Sequence, residues 1–241
     1  PLDGSSNIDV NGVVGSIFSI YRVNNENTNN NLLSHGSDQL VAGYSLYGPS
    51  TMLILTLDKK VDCFTLNHDK TEFFLTHKNL TISQETNEYS INSSNERFWE
   101  PPITRYISEC RDGKTGIREK DFNMRWTGSM VADVHRILMR GGIFMYPKDN
   151  KVPKKEGRLR LMYEANPMAL IIERAGGLAT TGRDDLLSVN PSTYHQRASV
   201  IIGAADEVSR IKKYYLQYDK GEDKEFTSPL FKNRTLFSEG P

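Results

Sequence analysis

Apolar and polar positions follow two different periods along this chain, and the change of period divides it. In the first part the pattern is that of strands. Gly12–Tyr21 mixes Val, Ile, Phe and Ser as a strand does. Thr51–Leu57 and Val61–Leu66 are rich in β-favouring residues and are separated by Asp58-Lys59-Lys60, the spacing of a hairpin. Glu72–His77 and Leu80–Ser83 predict further short strands, and Ser37–Tyr44 predicts a short helix capped by Ser37 or Asp38. The Asn-rich segment Asn24–Asn31 has nothing to bury and is expected as a surface loop. The polar run Gln84–Ser94 is expected to mark a domain boundary.

Beyond it the helical period takes over. Ile103–Cys110 predicts a helix after the Pro101-Pro102 stop. Ser129–Arg140 sets Met130, Val134, Ile137 and Leu138 on one helical face, with Ser129 at the N-cap and Gly141-Gly142 ending it. Gly142–Tyr146 and Arg158–Tyr163 predict strands. Asn166–Ala175 predicts a helix with Pro167 in its first turn and Gly176-Gly177 closing it. Ala198–Ile202 reads as a strand, and Asp206–Tyr215 as a helix with an acidic start. Strands alternating with helices predict α/β layers. The segment Tyr218–Pro241 is polar and aperiodic and is expected to be a mobile tail.

Composition narrows the functional classes more than it selects one. The 241 residues carry 30 Lys+Arg and 30 Asp+Glu, so net charge gives no reason to expect nucleic acid or an anionic membrane as partner. Apolar stretches such as Met52–Leu57 are far short of the roughly 20 residues that span a bilayer. No secretory leader is evident, and Cys63 and Cys110 have neither metal-ligand spacing nor a disulfide framework. Both are expected to be buried, reduced thiols of a cytosolic protein.

Two acidic positions stand out chemically. In Asp3-Gly4-Ser5-Ser6 a carboxylate lies beside a glycine turn and two hydroxyls, a pattern able to hold a hard cation and to aim N–H groups at a phosphate; an ordinary Asp-Gly turn explains the same four residues. Glu164 follows an apolar run and precedes a helix, where open α/β sheets place ligands, or where a Glu simply complements a helix dipole. Arg125, Trp126, Tyr146, Arg158 and Arg160 suit a phosphorylated sugar, although singly each also reads as an ion pair or core aromatic. His135 reads as structural. Together these residues suggest a carboxylate-bound metal acting on a phosphate ester.

Several segments in order then resemble the class I fructose-1,6-bisphosphatases: PLDGSSNID (1–9), GYSLYGPSTM (43–52), GSMVADVHR (128–136), GGIFMYP (141–147), LRLMYEANPMA (159–169), ERAGGLATTG (173–182) and HQRASVIIG (195–203). The resemblance covers residues 1 to about 215. It implies a layered α/β/α/β/α sandwich of two domains, the first incomplete: 1–84 finishing the first, 85–217 forming the second, with 218–241 as tail. The family motif has an Asp just before Pro1, so the chain is expected to correspond to the C-terminal two-thirds of such an enzyme, inactive when expressed alone.

The implied activity is Mg²⁺-dependent hydrolysis of the 1-phosphate of fructose 1,6-bisphosphate, a gluconeogenic reaction in the cytoplasm, with Mn²⁺ or Zn²⁺ as possible substitutes. By the family pattern Leu2 (carbonyl), Asp3 and Glu164 ligate metal, and Gly4, Ser5 and Ser6 hold the reacting phosphate. Asn95, Tyr146 and Arg125 hold the 6-phosphate, Arg125 from a neighbouring subunit of a homotetramer; Met130 and Arg158 lie near the sugar. Phe98, Trp126 and Arg158 replace the family's usual Tyr, Tyr and Lys. Tyr21 and Arg22 match part of the family's AMP site, and Val23–Gln39 lacks the cysteines of the plastid redox loop. The alternatives are sedoheptulose-1,7-bisphosphatase activity, or a non-catalytic fragment serving assembly.

Overall fold

The computed structural model describes residues 2–22 and 33–223. The first half is an antiparallel meander: β1 (Leu2–Asp3), β2 (Val14–Tyr21), β3 (Gln39–Tyr47), β4 (Thr51–Leu57), β5 (Lys60–Leu66) and β6 (Phe73–His77) pair in sequence order. Ser37–Tyr44, expected as a helix, is instead a 3-10 turn (Gly36–Asp38) running into β3. Its alternation buries Ala42, Tyr44 and Leu46 on one side, a period of two that the short helical reading overlooked. Leu80–Ser83 forms no strand; it leaves the sheet, with Leu80 N–H donating to Val61 O and Ile82 N–H to Ala175 O. Asn24–Asn31 and the residues after 223 lie outside the described residues.

The second half builds a mixed sheet. β7 (Glu88–Ile91) lies inside the polar run expected to be a boundary, because Tyr89, Ser90 and Ile91 are buried between layers. Then come α1 (Pro101–Asp112), β8 (Asn123–Met124), α2 (Met130–Arg140), β9 (Ile143–Tyr146), β10 (Leu159–Arg160), α3 (Asn166–Arg174), β11 (Leu178–Thr180), β12 (Arg197–Ala198), β13 (Val200–Gly203) and α4 (Ala205–Asp219). The Pro101-Pro102 pair opens α1 rather than stopping the chain before it, since a first-turn proline forfeits no intrahelical bond. The five-stranded sheet has the order β11-β13-β9-β7-β8; β7 is parallel to β8 and β9, and the other pairs are antiparallel. β10 and β12 form a separate ladder.

Alternation along β9 and β13 decides the layering. Phe144, Val200 and Ile202 face a core shared with α2, α3 and the first sheet, whereas Ile143, Met145 and Ile201 face a second core against α1 and α4. The described layers therefore run β/α/β/α, an α/β layered fold. The far face of the first sheet carries the exposed Phe18, Ile20 and Leu57. Cys63 and Cys110 are buried free thiols, and burial pushes Cys110 up to about 12. No helix among the described residues is long and apolar enough to cross a membrane.

The β4–β5 hairpin closes through Asp58 and Lys59, with φ of 49° and 66°, and Leu57 pairs with Lys60. Both central residues are left-handed, the geometry that favours glycine at the second position. Lys59→Gly is expected to raise stability by about 1 kcal/mol in urea unfolding; a loss of stability contradicts this account of the turn.

Candidate active site

The candidate site forms where the start of the first sheet meets the N-terminus of α2. Asp3, at the end of β1, accepts the Val131 N–H at 2.9 Å and lies 3.4 Å from the Ser129 hydroxyl through the same oxygen. The Ser129 side chain makes no cap of its own, so a carboxylate 128 residues away satisfies an otherwise orphaned first-turn donor. Gly4 makes this approach possible. It has φ 74°, and a Cβ there would sit 2.6 Å from the Ser129 hydroxyl oxygen. Ser5–Asn7 follows as a 3-10 turn with Ser5 and Ser6 exposed, its early N–H groups unused by the turn itself.

Glu164 arrives from the other side on an irregular helix start. Arg158–Tyr163, expected as a strand, is extended only at β10; Leu161–Ala165 is a π turn in which Asn166 N–H reaches back to Leu161 O. Pro167 contributes no N–H to this junction, which favours the wider register before α3 becomes regular. The turn brings Glu164 back so that its carboxylate accepts the Arg160 N–H at 2.6 Å.

The two carboxylates share one electrostatic predicament. Burial pushes Asp3 above the usual carboxylate value, against the bonds from Val131 and Ser129, and Asp133 adds to the rise. Burial likewise raises Glu164, opposed by the Arg160 N–H, and the charge of Asp3 raises it further. Among the described residues neither makes a side-chain ion pair with Lys or Arg within 4.0 Å. Two desolvated, mutually repelling oxygen ligands are a donor set that a hard divalent cation would stabilise. They are two ligands only: no group of three or more metal-ligating side chains occurs among the described residues.

The other expected residues lie in several separate settings. Asn95 and Tyr146 line one small pocket with Asn92, Trp99 and Asp149. Trp126 lies beside Tyr146, with ring centroids 5.7 Å apart, and stacks on Phe144. Arg125 follows β8 with its side chain 54% exposed. Met130, first residue of α2, is buried in the inter-sheet core. Arg158 stands apart: its guanidinium grips Asp149 at 3.0–3.2 Å, fixing the loop between β9 and β10. Arg160 donates to His195 O at 3.0 Å. Phe98 carries Arg97 over its ring. His135 is structural: its Nδ1 meets the Tyr44 hydroxyl at 3.1 Å, and burial lowers its pKa to about 4.

Two residues escaped the sequence reading. Asn92 follows β7 beside Asn95, its side chain accepting from the Ser94 N–H and hydroxyl, and only its place just past a strand's carboxyl end signalled it. Asp149 has no local pattern, because its partner Arg158 lies across a loop.

A layered α/β fold that brings paired carboxylates, a glycine–serine turn and a helix N-terminus near one another has the makings of a phosphate-ester hydrolase. Comparison with known proteins is specific. Residues 1–78 match the family model "Fructose-1-6-bisphosphatase, N-terminal domain" and residues 82–216 match "Fructose-1-6-bisphosphatase, C-terminal domain". Fructose-1,6-bisphosphatase class 1 proteins of Methylacidiphilum infernorum (isolate V4) and Hydrogenophilus thermoluteolus are each 54% identical over 240 residues, covering 98% of this chain and 67% and 66% of their own lengths. The crystal structure of Leishmania major fructose-1,6-bisphosphatase in holo form superposes with a TM-score of 0.82 at 42% identity, over 89% of this chain and 66% of that one. The chain thus belongs to the class 1 fructose-1,6-bisphosphatase family, and spans about two thirds of the length of these relatives.

The raised carboxylate values set a test by pH. A carboxyl that ionises less readily when folded keeps its proton where the unfolded chain has lost it. Its stabilising contribution is whole below the ordinary carboxylate pKa and is lost as pH rises through the raised value. With divalent cations chelated, Glu164→Gln is therefore expected to melt higher than wild type at neutral pH, the difference closing as pH falls below the ordinary carboxylate range. A lower melting temperature for the variant at neutral pH would show that Glu164 is not under strain.

Proposed function

We propose that the protein hydrolyses the 1-phosphate of D-fructose 1,6-bisphosphate, with a site built from this chain's Asp3, Glu164 and the Gly4–Ser6 turn. The observation that carries this reading is the convergence of the two raised carboxylates, from β1 and from the π turn before α3, beside a glycine-opened turn and the α2 N-terminus.

Asp3, Glu164 and the Leu2 carbonyl would hold the divalent cation, Mg²⁺ with Mn²⁺ or Zn²⁺ as substitutes, alongside ligands from outside this chain's described residues. Such an ion, when bound, lowers the pKa of an attacking water and neutralises a leaving alkoxide. Gly4, Ser5 and Ser6 orient the reacting phosphate through N–H groups and hydroxyls. Asn95 and Tyr146, joined by Asn92, hold the 6-phosphate, completed by Arg125 of a neighbouring subunit in a homotetramer; Met130 packs beneath the sugar. Fixing the unreactive end positions the reacting phosphate and so contributes to rate as well as affinity. Arg158 serves this site indirectly, through the loop it ties to Asp149. A gluconeogenic role in the cytoplasm and contact of AMP with Tyr21 and Arg22 belong to the same reading, as does a division of the chain near residue 84.

Phosphate release by the natural full-length protein tests the reading. Turnover of fructose 1,6-bisphosphate is expected to require Mg²⁺ and to fall about a hundredfold or more in Glu164→Gln. Undiminished turnover by that variant overturns the role of Glu164. Faster release from sedoheptulose 1,7-bisphosphate overturns the six-carbon assignment.

A further inference from the structure

Arg125 begins a stretch, residues 125–129, that links β8 to α2 with no regular secondary structure. A segment without a ladder of its own is held by whatever bonds reach it, and here a chain of charges does so. Arg125 N–H donates to Tyr89 O at 2.8 Å, and Arg125 O accepts from Arg136 Nη2 at 3.3 Å. Two residues on, Thr127 donates to Asp133 Oδ2 through its N–H at 3.2 Å and its hydroxyl at 2.8 Å. Arg136 links the parts: it contacts Asp133 at 3.4 Å, one helical turn back, and donates to Glu88 Oε2 on β7. Glu88 Oε1 in turn lies 3.9 Å from Arg125 Nε.

Asp133 is fully buried, Arg136 and Glu88 are about equally covered at 17% and 16% exposed, and Arg125 stands out at 54%. The two carboxylates and two guanidiniums balance, so the buried charges are compensated. Arg136 takes one oxygen of Glu88 at close range. The other lies nearest Arg125 Nε, beyond hydrogen-bond distance, and neither Arg125 Nη group donates a hydrogen bond to a described residue. Glu88 is thus placed to aim Arg125 without capturing it, leaving the forked end of the guanidinium for a bidentate anion.

We propose that Glu88, Arg136 and Asp133 are positioning residues for Arg125, pre-setting its guanidinium to bind the substrate's unreactive phosphate. The proposal rests on the reading of Arg125 given above. None of the three touches substrate; they act by removing the cost of ordering a long side chain at the moment of binding.

Glu88→Gln, which keeps shape and removes charge at a partly exposed position, gives the test in the full-length protein. Its KM for fructose 1,6-bisphosphate is expected to rise about threefold or more with kcat changed less than about twofold, the signature of lost binding without lost chemistry. Arg125→Ala is expected to raise KM further, and Glu88→Gln added to it is expected to change nothing more. An equal KM penalty for Glu88→Gln with and without Arg125 would overturn the proposal. The NMR signal of the Arg125 Nε–H separates this proposal from the reading beneath it. If Arg125→Ala leaves KM unaltered, the phosphate role of Arg125 fails; a signal that shifts in Glu88→Gln then supports positioning by Glu88, and an unaltered signal overturns it.

Discussion

The carboxylate of Asp3 at the N-terminus of α2 is the contact on which the rest of the site depends. It joins the first strand of one sheet to a helix that begins about 125 residues later, and it works as a helix cap that no local residue supplies. The same atoms are under tension. Burial makes the charged form of Asp3 expensive, while the helix dipole and the Val131 N–H favour it. Glu164 is pressed upward by the same means on the facing segment. A site in which two anions are kept close and desolvated has stored a preference for a cation between them, at a cost to the stability of the fold without it.

The layers explain why these groups are held firmly. α2 and α3 lie between the two sheets, and their buried residues, including Val134, Ile137, Met168 and Ile171, are shared by both. The N-terminus of α2 and the π turn ahead of α3 both emerge from this inner layer. Groups borne at the ends of packed helices are fixed by the core behind them, whereas the small pocket around Asn95 and Tyr146 is assembled from strand ends and loops.

Legibility from sequence followed how local each cause was. The apolar period of Met130, Val134, Ile137 and Leu138 sufficed for α2, and Asp58-Lys59-Lys60 for the hairpin, because both signals lie within a few residues. Ser37–Tyr44 misled because Ser37 and Asp38 lie inside a short 3-10 turn and cap nothing, and the alternation that reveals β3 extends beyond that window. The π turn at Leu161–Ala165 resembles an apolar strand by composition; only the missing N–H of Pro167 hinted otherwise. At the site, Asp3 and Glu164 were legible as types of residue, but their convergence was not, since no short-range pattern encodes a contact across the chain. The resemblance to a family supplied their pairing, and the geometry adds the capping of α2, the bond from Arg160 and the diversion of Arg158 onto Asp149.

In the proposed site Asp3 and Glu164 would hold one divalent cation between them. Anomalous diffraction from crystals of the full-length protein grown with Mn²⁺ tests it most directly. An ion is expected with an oxygen of each carboxylate at about 2.0–2.3 Å, inner-sphere contact for a hard cation of this size. Manganese bound elsewhere with both carboxylates free of metal would contradict it.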